Sequence, residues 1–241
     1  NYKIYDIFLV KKKLTANQVN QFNNIKKFEK KVKFLKKLDY RPLLDPNIKK
    51  IIKSANVIIY GPGTQYSSLF PSYLTKDLGK IICRSKAKKF LITNIYYDND
   101  IKKETTSSII KKFNYYLNNK GKYNYHINKY VDYYFLNRID NDDLNTQFKS
   151  KYLIDDFKNN RKVIRLDWEK TSGTHFPNLI LKRIFKVIKR GKSLEKYQYF
   201  NSVSIILPCL NEKRTLKNVL KKISNFKIND VEYAFSYLDF L

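Results

Sequence analysis

A run of strand-forming residues, Val57-Ile-Ile-Tyr60, stops abruptly at Gly61-Pro62-Gly63 and gives way to a group of hydroxyls, Thr64, Ser67 and Ser68. The two glycines free the backbone from side-chain contacts, and the proline blocks any continuation of the strand ladder. A short apolar strand that ends in such a loop belongs to a sheet whose strands deliver loops to one edge. The same alternation recurs along the chain. Apolar runs fall at Phe90 to Thr93, Val131 to Leu136, Val163 to Leu166 and Val203 to Leu207, and helical spacing lies between several of them. The clearest helices are Thr105 to Leu117, with Ile109, Ile110, Phe113 and Leu117 in step, and Asn178 to Ile188, with Leu179, Leu181, Ile184, Phe185 and Ile188. Near-continuous apolar strands separated by helices predict an α/β fold, a Rossmann-like, mainly parallel sheet with helices on both faces.

Local signals place the elements before this core. Ile4 to Val10 reads as a short strand, and Thr15-Ala-Asn-Gln18 carries the capping-box pattern that opens a helix. Asp45-Pro46 combines an N-cap acid with proline at the first helical position, so a helix over Asn47 to about Ser54 leads into the strand at Val57. Tyr197 to Asn201 has no helix or strand period and marks a boundary, which divides the chain into 1–200 and 201–241. Asn137 to Asn145 reads as a solvated loop whose acids lack a metal-ligand spacing.

Charge raises the question of nucleic acid. Lys and Arg number 49 against 21 Asp and Glu, a net +28. The abundance of Asn, Ile, Tyr and Phe beside the lysines is the mixture that an A- and T-rich genome produces, so the charge carries a compositional as well as a functional reading. The densest run, Ile25 to Leu38, forms as a helix with Phe28, Val32 and Leu35 on one side and lysines on the other. It reads either as a solvated face or as an RNA contact. We expect RNA affinity to be weak, phosphate-dominated, steeply salt-dependent and without sequence preference. Apolar runs fall far short of the ~20 residues a membrane helix requires. Cys83 and Cys209 read as two separate thiols, which together with the absence of a secretory pattern predicts a cytoplasmic setting. With no methionine and Asn at position 1, the sequence is expected to be an internal fragment.

At the carboxyl end of a parallel strand, the Gly61 to Ser68 loop stands where α/β sheets bind ligands. Gly61 and Gly63 permit close backbone approach, Thr64, Ser67 and Ser68 add hydroxyl donors, and a helix opening near Ser67 directs free amides toward an anion. Tyr66 offers a ring to a base or sugar. A tight strand-to-helix turn capped by its own hydroxyls accounts for the same residues, and a Gly-x-Gly pair does not choose between the two.

The wider segment Ala55 to Ile82, ANVIIYGPGTQYSSLFPSYLTKDLGKII, followed by KAKKFLITN over Lys86 to Asn94, resembles the 2-phospho-L-lactate transferase (CofD) family, which includes the YvcK-type gluconeogenesis factors. The family pattern is a polar residue before a strand, then G-P-G-[ST]-x-x-[ST]-S, a proline shortly after, and a later strand ending in Asn. Here these fall on Asn56, Gly61-Pro62-Gly63-Thr64, Ser67-Ser68, Pro71 and Asn94. VDYYFLN at Val131 to Asn137 resembles the family's next strand, and His175-Phe176-Pro177 its late His-x-Pro element, so the likeness runs discontinuously from about residue 40 to 190. The sequence IYYDND after Asn94 stands where many members carry a Gln-Pro-Gly turn.

The resemblance implies a nucleotide- and phosphate-binding pocket lined by Gly61, Pro62, Gly63, Thr64, Tyr66, Ser67, Ser68 and Asn94. The ligand it implies is a nucleoside diphosphate-linked small molecule or nucleotide sugar. In the transferase branch a phospholactyl group passes from a guanosine diphosphate-linked donor to a deazaflavin with Mg2+; the YvcK branch binds nucleotide sugars or dinucleotides for regulation. The ligands for Mg2+ are not in view. His175 reads either as a loop residue that hydrogen-bonds locally or as part of the site.

A second motif, Ser202 to Leu220 or SVSIILPCLNEKRTLKNVL, resembles the opening strand, loop and helix of family 2 glycosyltransferases. Pro208, Asn211 and Glu212 occupy the places that lie against a sugar nucleotide in that family. The implied architecture is the first strand and helix of a second, GT-A-like domain over 201–241. The paired acids and the Asp-x-Asp of that family do not follow before Leu241. The combined expectation is a nucleotide-dependent transferase fused to a glycosyltransferase. A non-catalytic nucleotide-sugar sensor and a basic RNA-binding protein are the alternatives.

Overall fold

In the computed structural model the described residues are 4–102, 104–138, 151–158, 162–190, 202–206 and 232–236. Among them, four parallel strands form one sheet: β1 (Val57–Tyr60), β2 (Lys88–Ile92), β3 (Tyr133–Asn137) and β4 (Val163–Leu166), in the spatial order β1-β2-β3-β4. The register sets Tyr60 beside Leu91, Leu91 beside Tyr134, and Leu136 beside Arg165. Chain order and spatial order coincide, so every crossover steps in the same direction. The α/β architecture expected from the alternation of runs is the one observed.

The strands' two-residue period sorts their side chains into two cores. On one face Ile58, Tyr60, Leu91, Tyr134 and Leu136 join residues of α3 (Pro46–Ser54), α4 (Phe70–Tyr73), α5 (Leu78–Arg84) and α6 (Thr106–Leu117). On the other face Val57, Phe90, Ile92 and Phe135 meet Trp168 and Ile180, Ile184 and Ile188 of a long helix, α7 (Pro177–Arg190). Helices cover both faces. The caps explain where they start. Asp45 accepts hydrogen bonds from the amides of Asn47 and Ile48, with Pro46 at the first turn of α3. Thr105 and Ser108 close a reciprocal capping box on α6. Thr15 and Gln18 do the same for α1 (Ala16–Asn24), which precedes α2 (Phe28–Leu38).

The first expected strand is corrected. Ile4 to Leu9 forms no strand, and only Val10 makes an isolated bridge, to Asp39. Ile4, Ile7 and Leu9 nonetheless pack against the core. Their alternation therefore records an extended segment laid on α6 rather than a strand in a ladder. The Tyr116 hydroxyl and the Lys120 ammonium both donate to Asp6 and fasten the segment there.

After β4 the chain forms a short antiparallel hairpin, β5 (Glu169–Thr171) with β6 (Thr174–His175). Its turn residues Ser172 and Gly173 have φ of 32° and 80°. A side chain at Gly173 would meet the Tyr96 ring, so glycine is required there on both counts. β7 (Ser202–Ile206) and β8 (Glu232–Ser236) form a separate parallel pair, with β7 running close to β1. The expected helix after β7, the boundary at Tyr197 to Asn201, the acids from 139 to 145, and Pro208, Asn211 and Glu212 lie outside the described residues. The second GT-A-like domain is not shown. No described helix is long and apolar enough to cross a membrane.

Candidate functional site

Parallel strands bring the loops after β1 and β2 to the same edge of the sheet, and there the expected residues Gly61 to Ser68 and Asn94 meet. The chain leaves β1 through Gly61-Pro62-Gly63 and enters a π-helical turn, Gln65–Leu69, that runs directly into α4. The widened turn has a local cause. Pro71 has no amide hydrogen and cannot make the bond that an α-helix would place on the Ser67 carbonyl, and the ladder before it runs in wider i→i−5 steps, Leu69 N–H to the Thr64 carbonyl at 3.1 Å and Phe70 N–H to that of Gln65. The Ser72 hydroxyl donates to the Ser68 carbonyl at 3.0 Å and keeps that oxygen satisfied.

Asn94 and Gln65 hold the glycine loop together. The Asn94 amide donates to the Gly63 carbonyl at 3.0 Å, the Gln65 amide donates to the same oxygen at 3.2 Å, and Gln65 also donates to Asn94 Oδ1 at 2.8 Å. Asn94 is thus a brace on the loop. Gln65, buried, is a site residue that the sequence reading missed, although it lies inside the motif.

Gly61 and Gly63 are not demanded by the backbone. Neither has a positive φ. A Cβ on Gly61 would meet nothing within 4 Å, and one on Gly63 would make ordinary contacts with Leu69, the nearest at 3.7 Å. The hydroxyls are more committed. Thr64 and Ser68 share a 2.8 Å hydrogen bond, and the Ser67 amide and hydroxyl both donate to Asp100 Oδ2, at 2.9 and 2.7 Å. A carboxylate therefore occupies the Ser67 donors expected to face a phosphate. Asp98 shapes the turn that presents it, accepting from the amides of Asp100 and Ile101 and from Asn94. Burial raises the Asp98 pKa against the pull of those amides, and the charge of Asp100 adds to the rise. Both acids come from the YDND stretch.

The structure places Tyr66 inside rather than on the loop's surface. Its ring is buried and packs edge-on against Phe70, so it has no face to offer a base or sugar. The Tyr66 hydroxyl donates to Glu104, and Lys112 reaches both groups. Burial alone would push Glu104 up, but hydrogen bonds from Lys112, Ser108 and Tyr66 outweigh it and hold the carboxyl below its ordinary range. This buried anchor fixes the π-turn from beneath. Neither Glu104 nor Lys112 carried a signal in sequence, because their meeting with Tyr66 depends on how α6 packs.

His175 closes the far side. A ring nitrogen lies 2.9 Å from the Thr93 carbonyl, one residue before Asn94. Burial lowers its pKa, against the opposing pull of the Thr93 carbonyl and the Glu169 charge. Because the folded value lies below the unfolded one, neutral His175 contributes stability that is present above pH ~6.5 and lost as pH falls through that value toward the folded pKa. Thermal unfolding followed from pH 7.5 to 5 is expected to show this loss, and His175→Gln should flatten that part of the profile. An unchanged slope would exclude His175 as its source.

The family model described as 2-phospho-L-lactate transferase CofD matches residues 10–192, well over half of the chain. The chain belongs to the CofD family. The match extends the likeness read from the loop to both sides of it, from before α1 through α7. Curated relatives cover CofD-like sequence more narrowly. A gluconeogenesis factor of Listeria innocua is 42% identical over 50 residues, 21% of this chain and 16% of the relative, and one of Listeria monocytogenes matches to the same extent. The chain thus spans about a sixth of the length of these relatives. Two crystal structures of the Bacillus halodurans protein BH3568 are 18% and 17% identical, with TM-scores of 0.46 and 0.47, each covering 58% of this chain and 46% of that one.

A dedicated magnesium cage is not assembled in this part of the CofD chain. Among the described residues no group of three or more His, Cys, Asp or Glu side chains stands together. Asp98 and Asp100 are the acids at the loop, and hard cations favour such oxygens. Both carboxylates already hold main-chain amides. The described residues therefore do not fit a magnesium site.

Proposed function

We propose that this CofD-family chain binds a nucleoside diphosphate-linked ligand on the Gly61 to Ser68 loop, as the nucleotide-binding part of a transferase of the 2-phospho-L-lactate type. The observation that carries the reading is the pair of glycines at the strand end. They have ordinary backbone angles and space for a Cβ, so the fold does not account for them, whereas close approach of a diphosphate to the main chain does. Asp100 supports it. An anion already sits on the Ser67 amide and hydroxyl, and a ligand phosphate would take its place there.

Titration calorimetry with guanosine and uridine diphosphates, with and without Mg2+, tests binding. Ser68→Ala is expected to weaken it only a few-fold, since a single neutral hydrogen bond contributes roughly 0.5 to 1.5 kcal/mol. Absence of heat with every nucleotide would sink the proposal.

A second reading, a non-catalytic regulator that binds nucleotide sugars, draws on the gluconeogenesis factors among the relatives. Turnover separates it from the first: ligand binding by the whole gene product without any transferred group favours the regulator. We also propose that 201–241 opens a family 2 glycosyltransferase domain, supported by the strand Ser202–Ile206 at the place the motif requires. Under that reading Pro208, Asn211 and Glu212 contact a sugar nucleotide, and Asn211→Ala leaves binding at the glycine loop unchanged.

A further inference from the structure

The segment from Ile4 to Leu43 carries ten lysines and Arg41 against Asp6, Glu29 and Asp39. Two of those acids are turned inward and occupied. Asp6 pairs with Lys120, and Asp39 with Arg41 and Lys120. Among the described residues none of the ten lysines is in an ion pair; Lys11 and Lys31 lie over the rings of Tyr40 and Phe22 instead. The positive charge of this segment is therefore uncompensated. Apolar side chains are exposed in the same stretch. Tyr5, Phe28 and Leu43 are 71%, 58% and 73% exposed, and Val10, Val19 and Tyr40 are also exposed. Neither α1 nor α2 contains a buried residue.

We infer that the α1–α2 segment is a peripheral docking surface for an anionic lipid bilayer. Lysines without acid partners are complementary to a layer of phosphate and carboxylate headgroups, and a basic amphipathic helix with exposed aromatic and aliphatic side chains lies in such an interface. Tyr5 and Phe28 meet with ring centroids 5.8 Å apart, so the aromatic part of the surface is already gathered. Lipid is favoured over nucleic acid by the aliphatic groups. Leu43, Val10 and Val19 have no ring for a base to stack on, whereas acyl chains take up any apolar side chain.

The test uses the full chain with vesicles of phosphatidylcholine alone or with about one-third phosphatidylserine, followed by flotation. Binding is expected to the anionic vesicles only, and to be lost in high salt. At roughly 1 kcal/mol per lysine near the surface, Lys30→Gln, Lys33→Gln and Lys37→Gln together should weaken it by about a hundredfold. Insertion is read from Phe28→Trp, because the single native tryptophan, Trp168, is fully buried and out of reach of lipid. Its fluorescence should shift to the blue and be quenched by brominated anionic lipid. Vesicle binding without quenching, no vesicle binding, or preferential capture of a single-stranded RNA oligonucleotide at the same ionic strength would each overturn the inference.

Discussion

If the glycine loop binds a nucleotide as proposed, Gly63→Val is expected to weaken that binding about a hundredfold while the chain stays folded. A Cβ at this position is in ordinary contact with the Leu69 side chain, whose end can move, and the backbone does not use an angle reserved for glycine. Folding therefore tolerates the change. Under the proposed function, the added methyls and the displaced Leu69 side chain would crowd the approach of a diphosphate to the main chain. A cost of about 2 to 3 kcal/mol, the ordinary scale of overpacking, corresponds to roughly a hundredfold loss of affinity. Gly61→Val gives a second reading of the same geometry, since nothing within 4 Å opposes a Cβ there. Titration of each folded variant decides, and wild-type affinity in both would remove the loop from the binding site.

Trp168→Ala is expected to have the largest effect on stability. The indole is fully buried, stacks on Phe135 at a centroid distance of 5.1 Å and donates to the Leu136 carbonyl at 2.9 Å. Its main chain is held as well: its amide donates to Asn137 Oδ1, and its carbonyl accepts from the Phe176 amide. Truncation removes the ring and its hydrogen bond to the Leu136 carbonyl and opens a cavity, at a cost of about 3 to 5 kcal/mol. At 2 to 4 °C per kcal/mol for a chain of this size, the melting temperature should fall by on the order of 10 °C. The hairpin that holds His175 to Thr93 rests on this residue, so the acid-side loss of stability assigned to His175 should shrink in the same variant. A fall of only a degree or two would show that the hairpin is not anchored there.

The four sheet strands were legible because each is a compact apolar run bounded by turn residues, and their helices because caps such as Asp45-Pro46 and Thr105 are local. Ile4 to Val10 resembles a strand for a physical reason: an extended segment that packs Ile7 and Leu9 part-buried against the core shows the same alternation. The glycine loop and Asn94 were legible as a linear motif. What braces them was not. The π-turn arises from Pro71 acting through the hydrogen-bond ladder, and Asp100 reaches Ser67 across 33 positions of sequence. A tyrosine beside a glycine loop is equally suited to either side, and only its meeting with the buried Glu104 and the half-buried Lys112 turns Tyr66 inward.

The one-directional winding of the sheet has a consequence for synthesis. As the chain leaves the ribosome, each new strand finds its neighbour already made, since β2 pairs with β1, β3 with β2 and β4 with β3. Among these four strands no pairing waits for a distant partner, which limits the time during which their shared apolar edges are open to aggregation. The loop and its Asn94 brace emerge early in this sequence, and Trp168 with the His175 hairpin arrives only after β4. The glycine loop is thus laid down on a growing half-sheet, and the cover on its far side is fitted after the fourth strand.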